Sequence, residues 1–199
     1  MTQLTRTFSR RLRSDERGAY LIELALLLPM FLMLIMGIFD IGIAMYAKSV
    51  LAGAVEQAAR ENTLETSANS QTAIDALVTQ RVGTVAGYGT LSFARENYDN
   101  FSDVGSPENF TDSNGNGVRN PGECFQDVNG NSTWDADRGA SGQGGASDVV
   151  VYTVTLSYNR LFPLWKMLGE PQAADIEVTT VLRNQPYMNQ NTTSSVICT

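Results

Sequence analysis

The chain has 199 residues, a net charge of −7 and no histidine. That length accommodates one anchor and one ectodomain of roughly 100–150 residues. The missing histidine excludes His-based triads, His general bases and His-containing zinc sites. With no Gly-x-Ser-x-Gly, no Ser-x-x-Lys and no defined acid pair in a fold large enough to hold one, an enzyme is not expected.

The charge is unevenly distributed. Residues 1–18 carry Arg6, Arg10, Arg11, Arg13 and Arg17 against Asp15 and Glu16, a balance of +3, and the remainder sums to −10. A basic head before an apolar run follows the positive-inside rule, placing the N-terminus in the cytoplasm and the acidic remainder across the membrane. The alternative, a basic arm for nucleic acid, is set aside because the apolar run already accounts for the charge. No nucleic-acid partner is expected.

From Leu24 to Phe39 no charged residue occurs, and widening to Ala19–Met45 adds only Glu23 and Asp40. The uncharged core alone makes about 24 Å of helix, and with its flanks it exceeds the ~30 Å of a bilayer's hydrocarbon. Pro29 should bend this helix without breaking it. Beyond Met45 the helical spacing persists, with Val50, Leu51, Ala54, Val55 and Ala58 on one stripe and Glu56/Arg60 at i,i+4. One helix over residues 19–63 is therefore expected. A removable secretory signal peptide would have a shorter apolar region and a small-x-small cleavage site.

Glu23 is the informative oddity, because a carboxylate just inside an apolar run costs several kcal/mol unless it finds a partner or reaches the interface. It lies five residues past Gly18, counting Ala19 as the first. A basic leader, a glycine and a helix with glutamate at its fifth position resemble the class III signal of type IV pilins and pseudopilins. The resemblance implies cleavage after Gly18 by an inner-membrane prepilin peptidase. The freed amine of Ala19 would then pair with Glu23 of a neighbouring subunit.

Within that group, Arg17-Gly18-Ala19-Tyr20-Leu21-Ile22-Glu23, then Leu28-Pro29, then Gly37 to Gly42 around Asp40, resemble TadE-like minor pilins of tight-adherence pilus systems. The likeness covers roughly residues 16–62, with a short echo at 181–187. Leu24 stands where the very short major pilins of those systems carry tyrosine, so the resemblance implies a minor subunit. It also implies that other pilin or pseudopilin subunits pack on this helix and that the inner membrane holds it. The head would face the periplasm. Asp40, between Gly37 and Gly42, is a candidate for pairing with a basic group on a partner helix; the alternative is an interface residue facing headgroups or water.

After Asn62 the composition turns polar. Residues 65–80 read as a weak helix or linker, and Gly83, Gly87 and Gly89 break the pattern before a strand at 90–95. The clearest strand is 148–158, where Val150, Tyr152, Val154, Leu156 and Tyr158 alternate with hydroxylated residues. Residues 175–183 repeat the alternation, and Pro163, Trp165 and Gly169 fit an intervening loop or short helical turn.

Between these elements lies a twelve-residue calcium-loop pattern. Asp112, Asn114, Asn116, the carbonyl of Val118, Asn120 and Glu123 fall at positions one, three, five, seven, nine and twelve, with Gly117 at six. A partial copy follows with Asp127, Asn129, Asn131 and Asp135; it has Ser132 at six and Arg138 at twelve, and Asp137 is the candidate terminal carboxylate. Pro121 and Gly122 argue against flanking helices. With asparagines diluting the ligand charge, affinity for Ca2+ should be that of extracellular modules, about 10⁻⁴–10⁻³ M. The bland alternative is a set of Asn-Gly turns in an exposed loop. The Gly139–Gly145 run reads as a flexible connector.

Cys124 and Cys198, both expected outside the cytoplasm, read most simply as one disulfide worth roughly 4 kcal/mol in the chain-entropy model. Two free thiols are the alternative. The expected fold class is α+β: a long N-terminal transmembrane helix running into a small head. That head has an antiparallel sheet of two to four strands and a long Asn/Gly/Asp-rich loop. The divisions are a leader at 1–18, the helix at 19–63 and a head at 64–199 with the loop insert at 112–138. The function expected is a structural minor pilin. The competing reading is an uncleaved, membrane-anchored, extracytoplasmic calcium-binding protein.

Overall fold

The computed structural model describes residues 17–62, 71–83, 89–184 and 194–198. Helix α1 spans Arg17–Asn62 with Pro29 inside it. Its described residues from Tyr20 to Leu32 are all exposed, as expected of a surface whose solvent is lipid. From Ala47 onward only one stripe is covered: Ala47, Leu51, Ala54, Val55, Ala58 and Ala59 are buried at helical spacing.

The chain forms two compact units, one from Met1–Ile43 with Arg160–Gln172, the other from Ala44–Asn159 with Ala173–Thr199. In the second unit, helix α2 (Gln71–Gly83) buries Ile74, Val78 and Val82. Four strands, β1 (Thr90–Tyr98), β3 (Ala140–Ser141), β4 (Val149–Asn159) and β5 (Ala173–Arg183), form an antiparallel sheet in the order β3-β1-β4-β5. The register sets Phe93 opposite Val154 and Val154 opposite Val178. Period-two alternation then turns Val150, Tyr152, Val154 and Leu156 into a core shared with Leu51, Val55, Ile74 and Val78.

A second sheet pairs β2 (Cys124–Asp127) with β6 (Ser195–Cys198). Cys124 and Cys198 are directly opposite each other there and are disulfide-bonded. Neither strand has the length or alternation that announced β4.

The strands and helices agree with the α+β expectation, with some differences. The stretch read as weak helix or linker holds α2, and β1 continues to Tyr98. The Gly139–Gly145 run is not a loose connector. Ala140 pairs with Asn97 in the sheet, the Asn97 side-chain amide donates to the Ala140 and Gly142 carbonyls, and Asn184 donates to those of Gln143 and Gly145. Its glycines serve close approach. A Cβ on Gly139 would lie 2.7 Å from the Tyr98 hydroxyl, and Gly144, at φ +66°, would meet Asp148 and Asn97. The expected leader at 1–18 falls almost wholly outside the described residues, as do positions 185–187 of the C-terminal echo.

Helix α2 is tied to the sheet by one carboxylate. Asp75 accepts from both terminal nitrogens of Arg95 and, at 2.9 Å, from the Tyr152 hydroxyl. The Arg95 guanidinium stacks 4.4 Å above the Tyr152 ring. Burial, reinforced by the bond to Asp75, pushes the Tyr152 hydroxyl well above the usual phenol range. Asp75→Ala strands both donors against the core, and should cost about 2–3 kcal/mol in denaturant unfolding of the full chain in micelles. A cost below ~0.5 kcal/mol would mean the cluster is incidental.

Candidate functional site

Two regions carry chemistry. On α1, Gly18 is exposed in the first turn, one residue before Ala19, and Glu23 is exposed on the next. Further along, Asp40 is buried, at 3% exposure, within the first unit. Its Oδ2 accepts from Arg160 Nη1 at 2.9 Å and from Trp165 Nε1 at 2.6 Å. The Arg160 guanidinium lies 4.1 Å from the Trp165 ring centroid. For Asp40 the sequence leaves two readings open, a basic partner on another helix or an interface position facing headgroups or water. It finds a basic partner 120 residues along its own chain, beside helix α3 (Leu164–Met167). Leu164 lies against α1 at Gly37, where a Cβ would be in contact with it at 3.4 Å.

The second region is the loop pair, which contains no helix between Val104 and Arg138. In the first loop the Asp112 carboxylate accepts from the N–H groups of Gly115, Asn116 and Gly117 at 2.7, 3.2 and 2.7 Å. Those N–H bonds, that of Gly117 foremost, hold its carboxyl below the usual range. Asn114 Oδ1 accepts from Asn116 N–H and Asn116 Oδ1 from Val118 N–H, while Asn120 donates to the Val118 carbonyl. Glu123 closes the loop, Oε1 accepting from Ser113 N–H and Oε2 from Asn120 N–H.

The second loop repeats this position by position. Asp127 accepts from Gly130, Asn131 and Ser132 at 2.7, 3.2 and 2.9 Å, Asn129 from Asn131, and Asn131 from Thr133. Ser132, the departure from glycine at position six, adopts φ 64°, close to the 75° of Gly117. Asp135 receives the side-chain amides of Asn129 and Asn131.

The hydrogen bonds that Glu123 accepts in the first loop have their counterpart here at neither Asp137 nor position twelve. Asp137 accepts from the Tyr98 hydroxyl and Gly139 N–H, and Arg138 pairs with Asp103 and the Pro107 carbonyl. Glu108 takes the role from upstream: Oε1 accepts from Val128 N–H and Oε2 from Asp135 N–H, the same positions two and nine that Glu123 serves in the first loop. Glu108 is 1% exposed. It gets there because residues 108–111 run antiparallel beside β2. Thr111 N–H bonds the Cys124 carbonyl, Gln126 N–H the Asn109 carbonyl, and Glu108 N–H the Asp135 carbonyl. Trp134 seals the corner, its indole N–H on the Glu108 carbonyl and its ring edge-on to Phe110. No signal in the twelve-residue spacing points to Glu108, which precedes both loops.

Among the described residues no three Asp, Glu or Cys side chains converge as a metal cluster. Each loop instead gathers carboxylate and asparagine amide oxygens, joined in the first by the Val118 carbonyl, oxygen types that a hard cation takes.

Comparison with known proteins bears on α1 alone. Residues 18–60 match the model of the TadE-like protein family. Neither a curated protein nor a solved structure matches the chain. The TadE-like segment begins at Gly18 and stops just short of the end of α1, so it contains Gly18, Ala19, Glu23 and Asp40 and none of the loop pair.

The closing role of Glu108 is directly measurable. Glu108→Ala orphans the N–H groups of Val128 and Asp135, at about 1–3 kcal/mol each. Amide hydrogen exchange at those two positions should accelerate while Ser113 and Asn120, held by Glu123, stay protected. Uniform acceleration across both loops would contradict this assignment.

Proposed function

We propose that this protein is a structural minor pilin, or pseudopilin, that contributes to assembly of a tight-adherence-type pilus. The observation that carries this reading is that the TadE-like match runs along α1 from Gly18, a glycine followed five residues on by a glutamate. α1 anchors the chain in the bacterial inner membrane, N-terminus in the cytoplasm and head in the periplasm. A prepilin peptidase removes residues 1–18, and the new amine of Ala19 pairs with Glu23 of an adjacent pilin. Its role is to pack and be displayed, with no catalytic step of its own.

N-terminal sequencing of the membrane-extracted protein should begin at Ala19; a retained leader would overturn the processing. A Cβ at Gly18 meets nothing within 4 Å, so Gly18→Val tests recognition by the peptidase and leaves the helix intact. Its expected outcome is accumulation of the full-length precursor in the membrane.

The loop pair supports a second element of the reading, that the head binds Ca2+. Asp112, Asn114, Asn116, Val118, Asn120 and Glu123 form one oxygen set, and Asp127, Asn129, Asn131, Asp135 and Glu108 the other. Because these loops lie outside the TadE-like match, they also favour the competing function of an uncleaved, single-pass, extracytoplasmic calcium-binding protein. The same N-terminal sequencing separates the two. Thermal unfolding of the full chain in micelles should shift upward on adding millimolar Ca2+ and back with excess chelator. Identical curves would remove calcium from both readings.

A further inference from the structure

The connection between β4 and β5, Arg160–Gln172, is a closed structure of its own. Arg160 N–H donates to the Gln172 carbonyl at 3.0 Å, and the Gln172 side-chain amide returns to the Arg160 and Phe162 carbonyls at 2.6 and 2.8 Å. Within the first unit it is fastened to α1 through Asp40, by contact between Phe162 and Phe39, whose ring centroids are 6.4 Å apart, and by Leu164 at Gly37. Three of its apolar residues are not used for this. Leu161, Met167 and Leu168 are 68%, 66% and 63% exposed.

We propose that this clip sits in the bilayer that α1 crosses, with Leu161, Met167 and Leu168 in the acyl region of the head-side leaflet and Trp165 at headgroup level. The proposal rests on the reading that α1 spans the membrane. Three observations choose lipid over a protein occupant. First, depth: from Tyr20, the ~20 residues that cross ~30 Å of hydrocarbon end at Phe39, so Asp40 and the clip fastened to it fall at the boundary. Second, continuity: α1 beside the clip exposes Ile38, Phe39 and Ile41, so the clip extends a surface that already needs an apolar solvent. Third, composition: the clip mixes buried and exposed apolar residues with a Trp, an exposed Lys166 and Arg160, the side chains that settle at a membrane–water interface. The internal pairing fits the same place. An acid at this depth is tolerable once a guanidinium and an indole N–H satisfy it within the chain.

The chain has two tryptophans, Trp134 and Trp165, which makes fluorescence the direct test. The full-length protein is reconstituted into vesicles whose lipids carry bromine on the upper acyl chain or near its end. Native protein and Trp134→Phe should both lose emission to upper-chain bromine, and Trp165→Phe should lose none. Leu28→Trp in the Trp165→Phe background reports the span separately and should be quenched by deep bromine. If Leu28→Trp is quenched and Trp165 is not, the clip proposal falls while the span stands. A Trp165 that is blue-shifted yet unquenched also overturns it, in favour of a protein occupant such as a second copy. If neither position is quenched, the span reading fails and the clip with it.

Discussion

A continuous helix of 46 residues has to be satisfied by two environments in succession, and most of this protein follows from that demand. Along its first part the backbone bonds only to itself, and the side chains are apolar on every side, as a hydrocarbon solvent requires. From Ala47 on, the same helix narrows to one buried stripe of alanines, Leu51 and Val55. Small residues there allow the sheet residues Val150, Val154 and Leu156 to share one core with the helix and α2. Asp40 lies between the two regimes along the helix, an acid buried to 3% exposure. The chain answers with Arg160 and Trp165. The covalent route from Asp40 to those partners runs through most of the head sequence.

The loop pair is organised by a different necessity. It has hardly any helix or sheet to absorb its backbone N–H groups, and buried donors without acceptors are expensive. Carboxylates and asparagine amides take that job, in the same order in both loops. Asp112 and Asp127 each collect three N–H groups, and Glu123 and Glu108 each clamp positions two and nine. The same carboxylate and amide oxygens are of the type that hard cations take, which is why one sequence pattern suits either task.

Much of this was legible in the residues. The long helix, the faces of β4 and β5, the TadE-like resemblance and the cysteine pair all follow from spacing or type. Other features were not. Asp137 lies near the position where the spacing seeks a terminal carboxylate; an antiparallel run of backbone bonds also sets Glu108, which no spacing marks, against the N–H groups of Val128 and Asp135. The Gly139–Gly145 run looked loose because glycine and serine dominate it. In the fold those glycines let Tyr98 and Asn97 approach, and the strand β3 closes the sheet edge.

The sequence by itself therefore determined what depends on neighbours within a few residues: helical and strand periodicity, the charge step across Gly18, and loop motifs whose hydrogen bonds close within twelve positions. Tertiary structure alone decided which distant groups meet, Asp40 with Arg160, Asp75 with Arg95 and Tyr152, and Glu108 with the second loop. The physical reason is that local backbone geometry repeats with a period that consecutive residues display. A buried charge, by contrast, is satisfied by whichever partner the packing of remote segments delivers, and no spacing in the chain records that delivery.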